Sequence, residues 1–295
     1  MKKAIFKMMA LLVTLLLVAN LGRGQVTLPH YDGINYTAGQ ALQTQTGWTL
    51  LNTGDDLLIA SGNLTYSGLE ASTGNKVTFD AAGIDASKAF TQQTSGTVYY
   101  SFLLNVTALG SLNTTGGYFT GYVEGATTNY GCSVWTRLDG TGYDIGINPR
   151  TTAANTVWSS GTTSLNTTLF IVVSYQIVAG TLNDIVRLWI NPTPGAAEPA
   201  ATLTATNSGT DLANVNRILI RQDGTAATPF IQMDELRVGT SWASVTPLAT
   251  HILTLNNVGN GYVEYTSVVP SKGLPTCEVS TCTVTFDYNT TVRIT

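Results

Sequence analysis

The stretch SVWTRLDGTGYDIGIN, residues 133–148, decides the fold class of this chain. Apolar and polar side chains alternate on both sides of a glycine-rich centre, as in two antiparallel strands joined by a tight loop. With a loop over Asp139–Gly142, the core face pairs Leu138 with Tyr143, Thr136 with Ile145 and Val134 with Ile147. The opposite face pairs Arg137 with Asp144, Trp135 with Gly146 and Ser133 with Asn148. Because a slip of one residue would turn every side chain to the wrong face, the pattern strongly favours this register.

The same period of two recurs along much of the chain. Three further apolar rows alternate with other side chains: Val98, Tyr100, Phe102, Leu104 and Val106; Ile171, Val173, Tyr175 and Ile177; and Val186, Leu188 and Ile190. Short β-branched segments separated by Gly, Asn, Asp and Pro are typical of antiparallel sheets with one packed side. The sequence therefore predicts an all-β chain, a two-sheet antiparallel jelly-roll sandwich followed by a small partial β module.

The run PFIQMDELRVGTSWASVTP, residues 229–247, marks the end of the sandwich. Its apolar residues occupy every second position, and this alternation shifts by one residue between Met233 and Leu236. Such a shift predicts a β-bulge at Asp234–Glu235. A different pattern of four short strands follows from His251 onwards.

The first 24 residues have the features of a signal peptide. A positively charged start, MKKAIFK, leads into an apolar run over Met8–Ala19, and the small residues Gly22 and Gly24 precede the predicted cleavage site before Gln25. Because spanning a bilayer takes about 20 apolar residues, this run predicts cleavage rather than an anchor. We expect a secreted or bacterial cell-surface protein whose mature chain has no transmembrane segment.

The composition argues against nucleic acid as a partner. Charged residues make up only 11% of the chain, against roughly 25% in an average protein. Without the four basic residues of the leader, ten basic and 18 acidic residues remain, a net charge of −8. Such a chain repels a phosphate backbone.

Three cysteines are present, and export permits disulfides. Cys277 and Cys282, in CEVSTC, are predicted to form a disulfide that closes a small loop between two strands. Cys132 is predicted to be a small buried hydrophobic residue. His30 and His251 are the only histidines, and no zinc-binding spacing occurs.

Four segments resemble the concanavalin A-like lectin/glucanase superfamily in its laminin-G-like bacterial form. They are YDGINYTAGQAL (31–42), GW (47–48), FIVVSYQIVAGTLNDIVRLWINPTP (170–194) and IQMDELRVGTSWASVTP (231–247). The resemblance covers the predicted sandwich, residues 25–248, and implies a jelly roll of two curved sheets. Members of this superfamily bind glycans, hydrolyse them, or serve in adhesion and structure.

Residues 251–295 resemble a partial bacterial repeat module of the internalin B-repeat type. The resemblance is carried by LTLNNVGNGYVEY (253–265), the CEVSTC loop and VTFDYNTTVRIT (284–295). It implies a multidomain surface protein, and we expect further domains beyond Thr295.

The sequence lacks the paired carboxylates of a glycosidase. Glucanases of this superfamily carry them on one strand as ExDxxE or ExDxE, and neither spacing occurs. The adjacent pairs Asp55–Asp56 and Asp234–Glu235 would point to opposite faces of a strand. We therefore expect no enzymatic activity, no catalytic residue and no required cofactor.

A structural calcium ion is the one candidate metal. The family topology implies that Asp32 and Asp234 lie on neighbouring strands, and hard cations prefer such oxygen ligands. The alternative is that Asp32 is a turn residue before Gly33 and that Asp234 caps the bulge.

Flat aromatic faces flanked by planar polar groups are the usual means of sugar binding. Five such residues fall on the non-core sides of their strands and are predicted to line one sheet as a ligand site: Trp135, Arg137, Asp144, Arg187 and Trp189. The alternative is that both tryptophans are packing residues. The sequence thus predicts a non-catalytic module that binds a polysaccharide or cell-surface glycan or serves in adhesion. The other two hypotheses are a structural spacer of a larger surface protein and a divergent glycoside hydrolase or polysaccharide lyase.

Overall fold

The computed structural model describes residues 25–125, 128–256, 265–269, 281–287 and 291–294. The predicted signal peptide lies outside these residues. Helical structure in them is limited to the 3-10 turns Leu42–Thr44 and Ala153–Asn155 and the short helix α1, Trp242–Val245. No helix in these ranges is long and apolar enough to cross a bilayer.

The described residues divide into two compact units. The first comprises the residues up to Tyr66, Ser72–Pro192 and Ala197–Val245. The second comprises Ser67–Ala71, Thr193–Ala196 and the residues from Thr246 onwards.

The first unit contains an eight-stranded antiparallel sheet. Seven strands follow in the order β13 (Leu203–Thr206), β12 (Ile185–Ile190), β11 (Leu169–Ile177), β6 (Gly96–Ala108), β15 (Phe230–Gly239), β4 (Lys76–Phe79) and β3 (Leu58–Ala60). The eighth strand, β1 (His30–Asp32), also pairs with β15. The chain's first described strand is thus paired with the last strand of the sandwich.

A seven-stranded antiparallel sheet completes this unit. Its order is β10 (Val157–Trp158), β9 (Gly142–Asn148), β8 (Tyr130–Asp139), β7 (Gly117–Val123), β14 (Val215–Ile220), β5 (Ala86–Gln93) and β2 (Trp48–Leu50). Strands distant in sequence, such as β14 and β5, are neighbours, which is consistent with a jelly roll. The predicted two-sheet antiparallel sandwich is confirmed.

The core lies between the two sheets and is formed by the predicted alternating rows. The five residues of the first row, Val98 to Val106, are fully buried, as are Ile171, Val173 and Tyr175. Rings from the two sheets meet in this layer, with Tyr100 and Tyr122 4.9 Å apart. Cys132 is fully buried here, as predicted, and its carbonyl oxygen accepts a 2.8 Å hydrogen bond from the Tyr100 hydroxyl.

The register of the β8–β9 hairpin is confirmed pair by pair, from Ser133 opposite Asn148 to Leu138 opposite Tyr143. The strands continue one pair further, to Asp139 and Gly142, so the turn itself consists of Gly140 and Thr141. Gly140 has a φ of +57°, a left-handed conformation that a glycine adopts without steric cost.

The β-bulge at Asp234–Glu235 is also confirmed. The register between β15 and β6 shifts between Asp234 and Arg237, and Glu235 has a φ of +56°. In a regular strand, the apolar side chains before Asp234–Glu235 and those after it would face opposite sides of the sheet. Because the bulge shifts the register, both halves of β15 stay in the sheet with their apolar side chains on the same side.

The second unit contains the four predicted short strands as two antiparallel pairs. They are β16 (Thr250–Asn256) with β18 (Thr281–Asp287), and β17 (Tyr265–Val269) with β19 (Thr291–Ile294). A bridge between Leu69 and Leu248 joins the short segment Ser67–Ala71 to this unit. Cys277 lies outside the described residues, and the disulfide with Cys282 and the internalin-type resemblance stay predictions.

Candidate ligand-binding surface

The outer face of the seven-stranded sheet carries an apolar cluster separate from the main core. Its buried members are Tyr118, Val123, Trp135 and Leu219, with Tyr130, Ala153 and Trp158 packed against them. These side chains point outward because side chains alternate along a strand, as Trp135 does after the core residue Val134. Two arginines with their carboxylate partners adjoin the cluster.

Arg137 and Asp144 form the cross-strand ion pair that the hairpin register predicts. The guanidinium Nε and one terminal nitrogen both lie 2.8 Å from Oδ2 of Asp144. The guanidinium carbon also lies 4.4 Å from the ring centroid of Trp158, a cation–π contact. The Arg137 side chain is 34% exposed, whereas Asp144 is buried, so solvent reaches the pair from the arginine side.

Trp135, one of the five predicted ligand-site residues, does not present an open indole face. Trp158, from the edge strand β10, covers that position, and a Cβ on Gly146 would lie 2.7 Å from its ring. Trp135 is only 4% exposed, and its indole nitrogen donates a 2.8 Å hydrogen bond to the Ser133 hydroxyl. Trp158, half-buried, is therefore the tryptophan available at the surface, while Trp135 supports it from below at a centroid distance of 6.4 Å.

Arg221 forms a second arginine–aromatic contact on the same face. Its guanidinium carbon lies 4.2 Å from the centroid of Tyr118. Its Nη1 lies 2.6 Å from Asp223 and its Nε lies 3.4 Å from Asp85, although neither N–H is aligned for a hydrogen bond. Burial raises the pKa of Asp85, and the Arg221 guanidinium opposes that rise.

We call this region the arginine–aromatic surface and define it by Asp85, Tyr118, Trp135, Arg137, Asp144, Trp158, Arg221 and Asp223. Strand order explains the assembly, because β14 lies between β5 and β7. Asp85 directly precedes β5 and Arg221 directly follows β14, so the two meet beside Tyr118 on β7. Alternation around Ile218 and Ile220 places Arg221 outward, but no local pattern reveals that β14 neighbours β5 and β7.

Arg187 and Trp189 do not join this surface. They lie on β12, in the eight-stranded sheet, and point away from the core on the opposite side of the sandwich. Trp189 is 2% exposed and donates a 2.9 Å hydrogen bond to the Pro199 carbonyl, and Arg187 donates to the Gln176 side chain. The prediction that all five residues line one sheet is therefore wrong, because the outer faces of two packed sheets point in opposite directions.

Asp32 does not have the surroundings of a metal ligand. Its Oδ2 lies 2.5 Å from the Lys88 ammonium and also accepts hydrogen bonds from the Tyr36 hydroxyl and the Trp48 indole. Its Oδ1 accepts from the backbone N–H of Ile34. Asp32 pairs with the core residue Leu236 and so faces the interior, where it joins the two sheets through Lys88.

Asp234 faces the other way and cannot share an ion with Asp32. It lies opposite Leu103, whose neighbours Phe102 and Leu104 belong to the core, so Asp234 points to the outer side of the eight-stranded sheet. Its carboxylate accepts backbone hydrogen bonds from Leu64 at 2.8 Å and from Glu235 at 2.7 Å. Burial raises the pKa of Asp234 to about 7. The described residues contain no group of three or more His, Cys, Asp or Glu placed to hold a metal.

Neither a family model nor a curated protein sequence matches the chain. Among solved structures, an endo-1,3-β-glucanase from Streptomyces sioyaensis is similar at a TM-score of 0.40 and 10% identity, over 71% of this chain and 94% of that one. The exoplasmic/lumenal domain of VIP36 has the same TM-score and identity, over 74% and 94%. The CBM2 module of an evolved Dit from Lactobacillus casei BL23 phage J-1 has a TM-score of 0.38 and 9% identity, over 71% and 93%. Likenesses this distant assign neither a family nor a function.

Proposed function

We propose that the chain is an exported, non-catalytic glycan-binding module and that the arginine–aromatic surface is its ligand site. The observation that carries the proposal is the presence of two arginines on one sheet face, each stacked on an aromatic ring and paired with carboxylate. Export is supported by the leader sequence, and a mature N-terminus at Gln25 in secreted material, measured by mass spectrometry, tests it.

The chemistry of this surface suits a sugar. Guanidinium groups supply several N–H donors in a fixed plane, and carboxylates supply acceptors. Neighbouring hydroxyls of one sugar can therefore accept hydrogen bonds from the arginines and donate hydrogen bonds to the carboxylates. The ring of Trp158 offers an apolar surface to C–H groups. Because Arg137 and Arg221 are already held by rings and carboxylates, little side-chain entropy remains to be lost on binding.

The test uses the chain from Gln25 to Thr295 on a glycan array, followed by affinity electrophoresis in gels that contain soluble polysaccharides. We expect Arg137→Gln and Arg221→Gln each to weaken binding by about tenfold, the equivalent of one charge-assisted hydrogen bond. Arg187→Gln is the matched control, because this arginine lies on the opposite face and should change nothing. Wild-type chain that binds no glycan would contradict the proposal and favour the spacer hypothesis. Variants that bind as well as the wild type would refute the arginine–aromatic surface as the ligand site.

A hydrolase remains the second candidate because of one specific observation. Asp85 and Asp223 both contact Arg221, and burial raises the pKa of Asp85 as a general acid requires. Glycoside hydrolysis uses two carboxylates about 5–10 Å apart, and a shared arginine holds these two near each other. Release of reducing ends from a bound polysaccharide, abolished by Asp223→Asn, would establish hydrolysis; binding without release supports the non-catalytic module.

A further inference from the structure

The outer face of the eight-stranded sheet contains a groove of about 560 Å³ where β3, β4, β15 and β6 lie side by side. Its floor is a cross-strand row in which Leu58 lies opposite Thr78, and Thr78 opposite Gln232. Phe230 stands beside this row and is 46% exposed, and Leu58 is 45% exposed. We call this region the Phe230 groove.

An aromatic ring, a leucine, a hydroxyl and a planar amide therefore line one concavity. A concave site with apolar walls and a few polar groups that converge on it has the composition of a ligand-binding groove. The apolar sides of the groove suit C–H faces, and the Thr78 and Gln232 side chains suit hydroxyl groups.

The margin of the groove carries three carboxylates, Asp55, Asp56 and Asp80, and none of the described residues that line the groove is basic. Gln222 fixes this margin, because its amide donates a 2.7 Å hydrogen bond to the Asp55 carbonyl and accepts one from the Asp80 backbone. Carboxylates accept hydrogen bonds from hydroxyls but repel a negatively charged ligand. The charge of the groove thus selects against uronic-acid polymers and suits an uncharged sugar chain.

We propose that the Phe230 groove is a second glycan-binding site, for a neutral sugar chain stacked on Phe230. It lies on the face opposite the arginine–aromatic surface, because Phe230 and Leu58 alternate with the core residues Ile231 and Ile59. Together with the proposed function, on which this part rests, two sites on opposite faces make the sandwich bivalent. One molecule would then bridge two polysaccharide chains.

The test measures affinity electrophoresis in laminarin, glucomannan, xylan and polygalacturonate gels, together with the precipitation of the same polymers in solution. The variants are Phe230→Ala, Phe230→Tyr and the matched control Leu50→Ala, whose side chain is 48% exposed on an edge strand of the other sheet. We expect Phe230→Ala to weaken retardation by a neutral polymer by about fivefold, because the loss in binding free energy should equal that of one aromatic contact. Phe230→Tyr should retain binding, Leu50→Ala should match the wild type, and Phe230→Ala should not change retardation by polygalacturonate.

Precipitation distinguishes two sites from one. Wild-type chain should precipitate a neutral polymer, whereas Phe230→Ala and Arg137→Gln should each bind without precipitating it. If Phe230→Ala behaves as the wild type while Arg137→Gln does not, the groove is refuted and the proposed function stands. If only Phe230→Ala weakens binding, the groove stands and the arginine–aromatic surface is refuted. If no polymer is bound, both are refuted.

Discussion

The ion pair between Lys88 and Asp32 gives the sharpest prediction on stability. Lys88 lies on β5 in one sheet and Asp32 on β1 in the other, 2.5 Å apart, with side-chain exposures of 7% and 5%. Lys88→Met removes the ammonium but keeps most of the aliphatic stem. The change therefore leaves Asp32 as a buried carboxylate without its cation.

The expected loss follows from the remaining partners of Asp32. Removal of one partner from a buried ion pair costs about 3–5 kcal/mol. The Ile34 N–H, the Tyr36 hydroxyl and the Trp48 indole still donate hydrogen bonds to Asp32, at 3.1, 2.9 and 3.2 Å. We therefore expect the lower end, about 3 kcal/mol, or a fall in Tm of about 6–12 °C for a domain of this size.

Urea unfolding followed by tryptophan fluorescence measures this loss. The double variant Asp32→Asn/Lys88→Met should recover part of the loss of Lys88→Met, because it no longer buries an unpaired charge. A Lys88→Met chain within about 1 kcal/mol of the wild type would refute the reasoning, since solvent or another cation would then be compensating Asp32.

Three further predictions concern single residues. The raised pKa of Asp234, about 7 against an ordinary 3.8, means that its contribution to stability is fully present below about pH 4 and is lost as the pH rises towards 7. Urea unfolding from pH 4 to 8 should therefore show the wild type losing stability relative to Asp234→Asn, and a difference independent of pH would contradict this. Gly146→Ala should displace Trp158, whose ring would lie 2.7 Å from the new Cβ, and a near-UV circular dichroism spectrum identical to wild type would show that it does not. Cys132 is fully buried and burial raises the pKa of its thiol, so mass spectrometry should find it unmodified by a maleimide in native protein and modified in urea.

Local alternation determined much of the fold in advance. The β8–β9 register and the bulge at Asp234–Glu235 follow from the alternation of apolar and polar residues alone, because a side chain on a strand points to one of only two faces of the sheet. This alternation does not indicate which of the two sheets a strand joins. For that reason Arg187 and Trp189 were predicted on the same surface as Arg137, although β12 lies in the other sheet.

The contacts that sequence reasoning missed are those between distant segments. Lys88 lies 56 positions from Asp32, and no motif links them. Arg221 meets Asp85 only because β14 is placed beside β5. Phe230 precedes an alternating row, and in the sequence it resembles any other strand residue. Its exposure in a groove depends on the neighbouring strands, which the local sequence does not identify.

The burial of Lys88 has a practical consequence for chemical labelling. Beyond residue 24 the chain has three lysines, Lys76, Lys88 and Lys272. Lys88 is held in its ion pair, Lys272 lies outside the described residues, and Lys76 lies on the outer side of the eight-stranded sheet, next to the core residue Val77. Among the described lysines, an amine-reactive tag would therefore attach at Lys76, and immobilisation through it would turn the arginine–aromatic surface towards the solution.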